Sequence, residues 1–130
     1  MINKKKIGND TEKKALELLA NLGYWCHLFS YNSNGQPCDV VAMKNDKAFL
    51  IDVKHCSENR FEFKNIQPNQ RACFKYAEEC GNTNCGFMIF FERYNVWRWL
   101  SYERLCKFDS YDLKSVRIQD CEELPYETNR

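Results

Sequence analysis

Asp39, Asp52 and Lys54 are the residues whose types and spacing could do chemistry. They lie in one stretch, Cys38-Asp39-Val40-Val41-Ala42-Met43-Lys44-Asn45-Asp46-Lys47-Ala48-Phe49-Leu50-Ile51-Asp52-Val53-Lys54. Two apolar runs, rich in β-branched and aromatic residues, flank Asn45-Asp46. Asn and Asp tolerate the positive φ of a two-residue hairpin turn. With that turn Lys44 faces Lys47, Ala42 faces Phe49, and Asp39 faces Asp52. Two carboxylates then stand opposite each other, with Cβ atoms roughly 4.5–5.5 Å apart. Like charges so placed destabilise a sheet. A divalent cation between them would relieve the repulsion, and hard oxygen ligands suit Mg²⁺ or Mn²⁺.

The hairpin is apolar on both faces, so it should be covered on both faces. Val40, Ala42, Phe49, Ile51 and Val53 share one side; Val41, Met43, Ala48 and Leu50 share the other. Alternation puts Asp39, Asp52 and Lys54 on one face of this buried pair, and a buried charge needs a partner. The plain alternative is an Asp–Lys salt bridge at a sheet end, with Asp39 in the loop.

The elements that must position these residues follow from pattern. Asn9 or Asp10 caps a helix running to about Leu22, with Gly23 as its stop. Ala15, Leu16, Leu18, Leu19 and Leu22 form its apolar stripe. Glu12 shares that face one turn earlier, either complementing the helix dipole or aimed at the site. Tyr24 to Tyr31 reads as a strand. The polar loop Asn32-Ser33-Asn34-Gly35-Gln36-Pro37 then delivers the chain to Asp39, where Ser33 could touch a phosphate. After the hairpin, Arg60 lies in a loop and Phe61 to Lys64 alternates like a short strand. A helix opens at Pro68 and ends at Gly81, with Ala72, Cys73, Tyr76, Ala77 and Cys80 as its expected buried stripe. Gln70 falls in its first turn, within reach of the sheet edge. Arg71 and Lys75 lie on a side expected to face solvent or nucleic acid. Cys85 to Phe91 and Val96 to Leu100 make a second hairpin. Trp97 and Trp99 share one face of it, and stacking on bases competes there with core or partner packing. Val116 and Ile118 hint at one more strand, and residues 119–130 read as an acidic tail. The chain is expected to be a single α/β domain over residues 1–130. Its core spans about 8–105, a mixed sheet flanked by helices, and 106–130 forms a C-terminal extension.

Composition narrows the class. At 44% hydrophobic and 15% aromatic residues, the chain can build a core. It has no run of membrane-spanning length and no signal peptide pattern, so a cytoplasmic protein without a membrane partner is expected. Eight cysteines could form a secreted framework, but several fall inside predicted elements and none makes a C-x-x-C pair. They read as reduced thiols. The net charge of +1 gives no global basic signature. Lys and Arg outnumber Asp and Glu by 14 to 11 in residues 1–100 and trail by 5 to 7 in 101–130. That excess permits nucleic-acid binding without demanding it. Lys4, Lys5 and Lys6 form a short basic arm that either reaches phosphates or is simply solvated.

Glu12, Asp39, Asp52 and Lys54 together are what metal-assisted phosphodiester hydrolysis requires. Carboxylates hold the ion, the ion acidifies water and offsets phosphate charge, and the lysine stabilises that charge. Pro37-Cys38-Asp39 followed by Asp52-Val53-Lys54 resembles the PD-(D/E)XK nuclease signature. Phe63-Lys64-Asn65-Ile66 with Asn69-Gln70, then Gly86-Phe87, resembles RecU-type Holliday junction resolvases. Gly8 and Glu12, with the loop before Asp39, resemble archaeal junction resolvases of the same superfamily. The resemblance covers about residues 8–105 and implies a restriction-endonuclease-like core.

The resemblance also implies roles. Asp39 and Asp52 would be metal ligands, completed by the Val53 carbonyl. Lys54 would be the catalytic lysine, and Glu12 would bind metal directly or through water. Gln70 would be the polar catalytic residue of the following helix. Branched or duplex DNA would be the substrate of a homodimer acting in DNA recombination and repair, with Lys4, Lys5, Lys6, Ser33, Arg60, Lys64, Arg71 and Lys75 as DNA contacts. Three features depart from the pattern. Asp52 stands where Glu is commoner, Asn69 stands where the RecU type has His, and there is no room for that type's long stalk. The same chemistry on another DNA structure, or a catalytically silent DNA-binding module, are the alternatives.

Overall fold

A computed structural model describes residues 4–29 and 36–124. In chain order they form α1 (Lys4–Asn21), β1 (Trp25–Leu28), β2 (Val40–Lys44), β3 (Lys47–Cys56), β4 (Arg60–Glu62), α2 (Pro68–Glu79), β5 (Cys85–Phe91), β6 (Val96–Ser101), α3 (Tyr102–Ser110) and β7 (Ser115–Arg117). A five-stranded sheet has the order β1-β2-β3-β5-β6, with β4 and β7 as a separate pair. Only β3 and β5 run parallel, joined through β4 and α2; the other pairs of the main sheet are antiparallel. The sheet is therefore mixed, and helices pack on both faces.

The expected hairpin is present in the expected register. Lys44 pairs with Lys47, Ala42 with Phe49 and Val40 with Ile51. Asn45 and Asp46 turn the chain at φ 54° and 66°, the left-handed region that short polar side chains tolerate. α1 packs on the face carrying Val40, Ala42, Ile51, Val53, Met88 and Trp99, using Ala15 and Leu19. Phe74 of α2 and Leu105 of α3 cover the opposite face against Phe87, Ile89, Phe91 and Leu100. Trp97 and Trp99 pack on the α1 side as core and near-core residues.

Several expectations are corrected. α1 begins at Lys4 rather than at Asn9 or Asp10, because the lysines are good helix formers and continue the turn. The first strand is four residues long, Trp25–Leu28. The buried residue of α2 is Phe74, while Tyr76 is 69% exposed. Phe74 meets Phe87 edge-on at 5.3 Å between ring centroids; of the expected stripe Cys73 and Ala77 pack partly buried beside it, while Ala72, Tyr76 and Cys80 are exposed. α3 was not expected at all. Ser101 caps it, its side chain accepting from the Arg104 N–H at 3.1 Å. Beyond β7 the chain returns to the sheet edge: Trp99 and Glu122 exchange backbone hydrogen bonds of 2.8 Å, and Leu124 is buried. That segment is packed structure through Leu124. Among the described residues, no helix is long and apolar enough to cross a membrane.

Candidate active site

β3 carries the centre of the site. Its odd-numbered residues Ile51 and Val53 face α1, so Asp52 and Lys54 project toward α2. Asp52 is 1% exposed. Burial raises its pKa first, the Asp39 carboxylate raises it further, and Lys54 pulls it down, leaving it at about 8. Lys54 Nζ lies 3.0 Å from Asp52 Oδ2. The ammonium approaches off the line a hydrogen bond needs, so this is an ion pair only. Among the described residues, Asp52 Oδ2 has no hydrogen-bond donor.

Asp39 stands where regular pairing ends. Its N–H donates to the Ile51 carbonyl at 3.0 Å, one residue off the hairpin register. Cys38 and Val40, two residues apart, lie in cores on opposite faces of the sheet. Strict alternation therefore fails at Asp39, and the expected square pairing of Asp39 with Asp52 gives way to a turned carboxylate. Asp39 Oδ2 accepts from the Val53 N–H at 2.8 Å, and Oδ1 accepts from Gln36 Nε2 at 3.2 Å. The Asp39 carboxylate still lies near enough to Asp52 to raise its pKa.

α2 supplies the third wall. Lys54 Nζ donates to Gln70 Oε1 at 3.0 Å and to the Asn65 carbonyl at 3.4 Å. Gln70 Oε1 also accepts from the Gln67 N–H at 2.9 Å, half of a capping box at the start of the helix. One oxygen thus fixes the helix start and the lysine together. Glu12 approaches from the α1 face. Partial burial, then the nearby Asp39 charge, raise its pKa to about 7, with Lys54 lowering it.

The donor set can be tested against a divalent cation. Two neighbouring carboxylates, one with a buried oxygen that the Lys54 ammonium approaches without donating a hydrogen bond, are hard ligands, and they fit Mg²⁺ or Mn²⁺. Among the described residues, no three His, Cys, Asp or Glu side chains stand close enough to hold a metal ion. Glu12 therefore shares the field of the aspartates without forming a three-acid cluster with them. Val53 contacts Asp39 through its amide.

The residues expected to touch DNA are dispersed. Ser33 lies outside the described residues, as do the side chains of Lys4, Lys5 and Lys6, whose backbone opens α1. Arg60 donates to Ser115 Oγ at 2.7 Å between β4 and β7. Lys64 pairs with Glu62 at 2.9 Å on the surface. Arg71, expected on a free side of its helix, pairs with Asp109 at 2.7 Å and ties α2 to α3. Lys75 is exposed. Gln36 and Asn65 were not expected in the site. The loop position of Gln36, three residues before Asp39, was the signal for it; a backbone carbonyl such as that of Asn65 leaves none.

No family model matches the chain. A UPF0102 protein of Fusobacterium nucleatum is 31% identical over 62 residues, 48% of this chain and 52% of that protein. The chain thus spans about half the length of the curated relative it matches. Hjc of Archaeoglobus fulgidus, a Holliday junction resolvase from an archaeal hyperthermophile, superposes with a TM-score of 0.58 at 20% identity, covering 74% of this chain and 73% of that one. D212, a nuclease from a fusselovirus, superposes at 0.52 and 7% identity, covering 94% and 86%. The class defined by this architecture is the restriction-endonuclease-like α/β fold. Within it, the chain has the fold shared by the archaeal Hjc resolvase and the viral D212 nuclease.

Proposed function

We propose that the chain is a metal-dependent DNA endonuclease that hydrolyses phosphodiester bonds, with a four-way junction as its preferred substrate and a homodimer as its working form. The observation that carries this is the buried Asp39–Asp52 pair beside an anchored lysine, with one Asp52 oxygen lacking a donor. A purely structural salt bridge would need Asp52 and Lys54 alone. It would not need a second carboxylate turned toward them, itself held by Gln36 and the Val53 amide.

Asp39 and Asp52 would hold Mg²⁺ or Mn²⁺, with the Val53 carbonyl completing the set and Glu12 acting through water. When bound, such an ion supplies charge against the phosphate and acidifies a water molecule. The protein's own groups do the rest. Lys54, held by Gln70 and the Asn65 carbonyl, presents a fixed ammonium to the negative charge that grows on the phosphoryl oxygens. Gln70 is a positioning residue, since it acts through Lys54. Glu12, with a pKa of about 7, can take up a proton at the edge of the site near neutral pH. Lys64, Lys75, Arg60 and the Lys4–Lys6 run would meet backbone phosphates.

The closeness of Lys54 to Asp52 favours one second reading, a DNA-binding module in which the lysine replaces the cation. Labelled four-way junction and linear duplex of the same sequence, incubated with Mg²⁺ and with EDTA, separate these. Mg²⁺-dependent nicking of the junction alone supports the resolvase. Equal cutting of both keeps the nuclease and removes the junction preference. Tight junction binding without cutting under any condition selects the module.

A further inference from the structure

Regular pairing stops at Asp39, so its carboxylate takes its direction from other groups. Two donors supply it. The Val53 N–H reaches Oδ2 at 2.8 Å, and the Gln36 amide reaches Oδ1 at 3.2 Å. The Val53 donor belongs to a central strand, where Val53 pairs with Met88. That single contact leaves the carboxylate free to pivot about it; a second point of attachment fixes the plane. Gln36 is that second point. An ionised carboxylate only accepts, so the amide must present its nitrogen. One acceptor position on each oxygen is thereby filled, and the others stay open to a cation.

Gln36 is itself held. It precedes Pro37, whose ring keeps the residue before it out of the helical region and in extended backbone. Its carbonyl accepts from Asn69 Nδ2 at 3.5 Å. Asn69 sits in the first turn of α2 beside Gln70, whose Oε1 takes the Lys54 ammonium at 3.0 Å. Consecutive residues of one helix turn therefore carry the two halves of the site: Asn69 holds the loop behind Asp39, and Gln70 holds the lysine.

We propose that Gln36 is a positioning residue that fixes the Asp39 carboxylate for a divalent cation, with Asn69 fixing Gln36. Gln36 acts through Asp39, and Asn69 acts through Gln36. The inference rests on the proposed function, in which Asp39 is a metal ligand. Groups that hydrogen-bond a metal's ligands set the orientation of those ligands, and losing one lowers metal affinity by roughly 10- to 100-fold. The tie through Asn69 is longer and one step further from the cation, so its loss moves affinity the same way by less. A loop residue with a purely structural part would leave metal affinity alone.

The test is Mn²⁺ affinity by titration calorimetry on the full chain without DNA, in wild type, Gln36→Met and Asn69→Ala. Met keeps the length of the side chain and removes the donor, and Asn69 is exposed, so both variants should fold; urea unfolding in EDTA checks this. The expected result is a fall in Mn²⁺ affinity of roughly 10- to 100-fold for Gln36→Met and a smaller fall for Asn69→Ala, both at near wild-type stability. Unchanged Mn²⁺ affinity in folded Gln36→Met, whatever its stability, overturns the assignment and leaves the metal site standing. If Gln36→Met does not fold, unchanged affinity in Asn69→Ala overturns it instead. Absence of Mn²⁺ binding by the wild type refutes the metal-dependent reading, and the role of Gln36 falls with it.

Discussion

Asp52→Asn should flatten the pH dependence of stability in metal-free protein. Asp52 titrates at 3.8 when unfolded and at about 8 when folded, chiefly because it is buried and then because Asp39 is close. Between those values the folded chain holds a proton that the unfolded chain has released. Stability is therefore fully present below pH 3.8 and falls as pH rises through the folded value. Each pH unit inside that window costs at most about 1.4 kcal/mol. Raising pH from about 6 to about 8 should thus cost the wild type roughly 2–3 kcal/mol that the variant does not lose. Glu12 is raised too, with the same sign, but it is present in both proteins. The difference between their curves isolates Asp52. Lys54 keeps its bonds to Gln70 and Asn65 in the variant, so the substitution does not strand a buried cation. Urea unfolding in EDTA at about pH 6, 7 and 8 measures the effect. Adding Mg²⁺ should restore wild-type stability at the high end, because a ligand of the folded state stabilises it by mass action. Parallel curves for the two proteins would refute the reasoning, since they would mean that Lys54 keeps Asp52 ionised throughout.

Three further outcomes are expected. Gln70→Ala should lower cleavage roughly 10- to 100-fold by freeing Lys54, and cost about 1 kcal/mol through the lost capping box; steady-state kinetics and thermal unfolding read the two effects separately. Gly86→Ala should destabilise by about 2–3 kcal/mol or more. A Cβ there would meet the Leu100 carbonyl oxygen at 2.4 Å and Ser101 Cα at 2.8 Å, both backbone atoms that cannot swing away; denaturant unfolding checks this. Arg71→Ala should cost no more than about 1 kcal/mol, since the Asp109 pair is partly exposed, and duplex affinity should stay unchanged if the arginine belongs to α3 rather than to DNA.

The hairpin was legible because Asn45-Asp46 fixes both its turn and its register, and a two-residue turn leaves no freedom to slip. The same rule reached too far at Asp39, where a one-residue offset turns the chain and breaks the alternation. α2 was legible through Pro68 and Gly81. Its buried face was legible in part: Cys73 and Ala77 pack against the core, but Phe74, between them on the helix, fills the space against Phe87. α3 was missed because Leu105 is its one buried residue, too thin a stripe to register as periodic. Lys54 and Gln70 could each be singled out by type. Their contact, sixteen positions apart, depends on where α2 lands on the sheet, which local patterns do not encode. Arg71 looked free for the same reason: Asp109 arrives on a helix that the pattern did not show.

The most direct measurement is Mg²⁺-dependent cleavage of a labelled four-way junction by wild type, Asp39→Ala and Lys54→Ala, each verified as folded. Cutting by the wild type that EDTA abolishes, and that both variants lose while still binding the junction, is the result this account requires. Cutting that survives in either variant would contradict the assignment of that residue. Cutting that persists in EDTA would contradict the metal-dependent site itself.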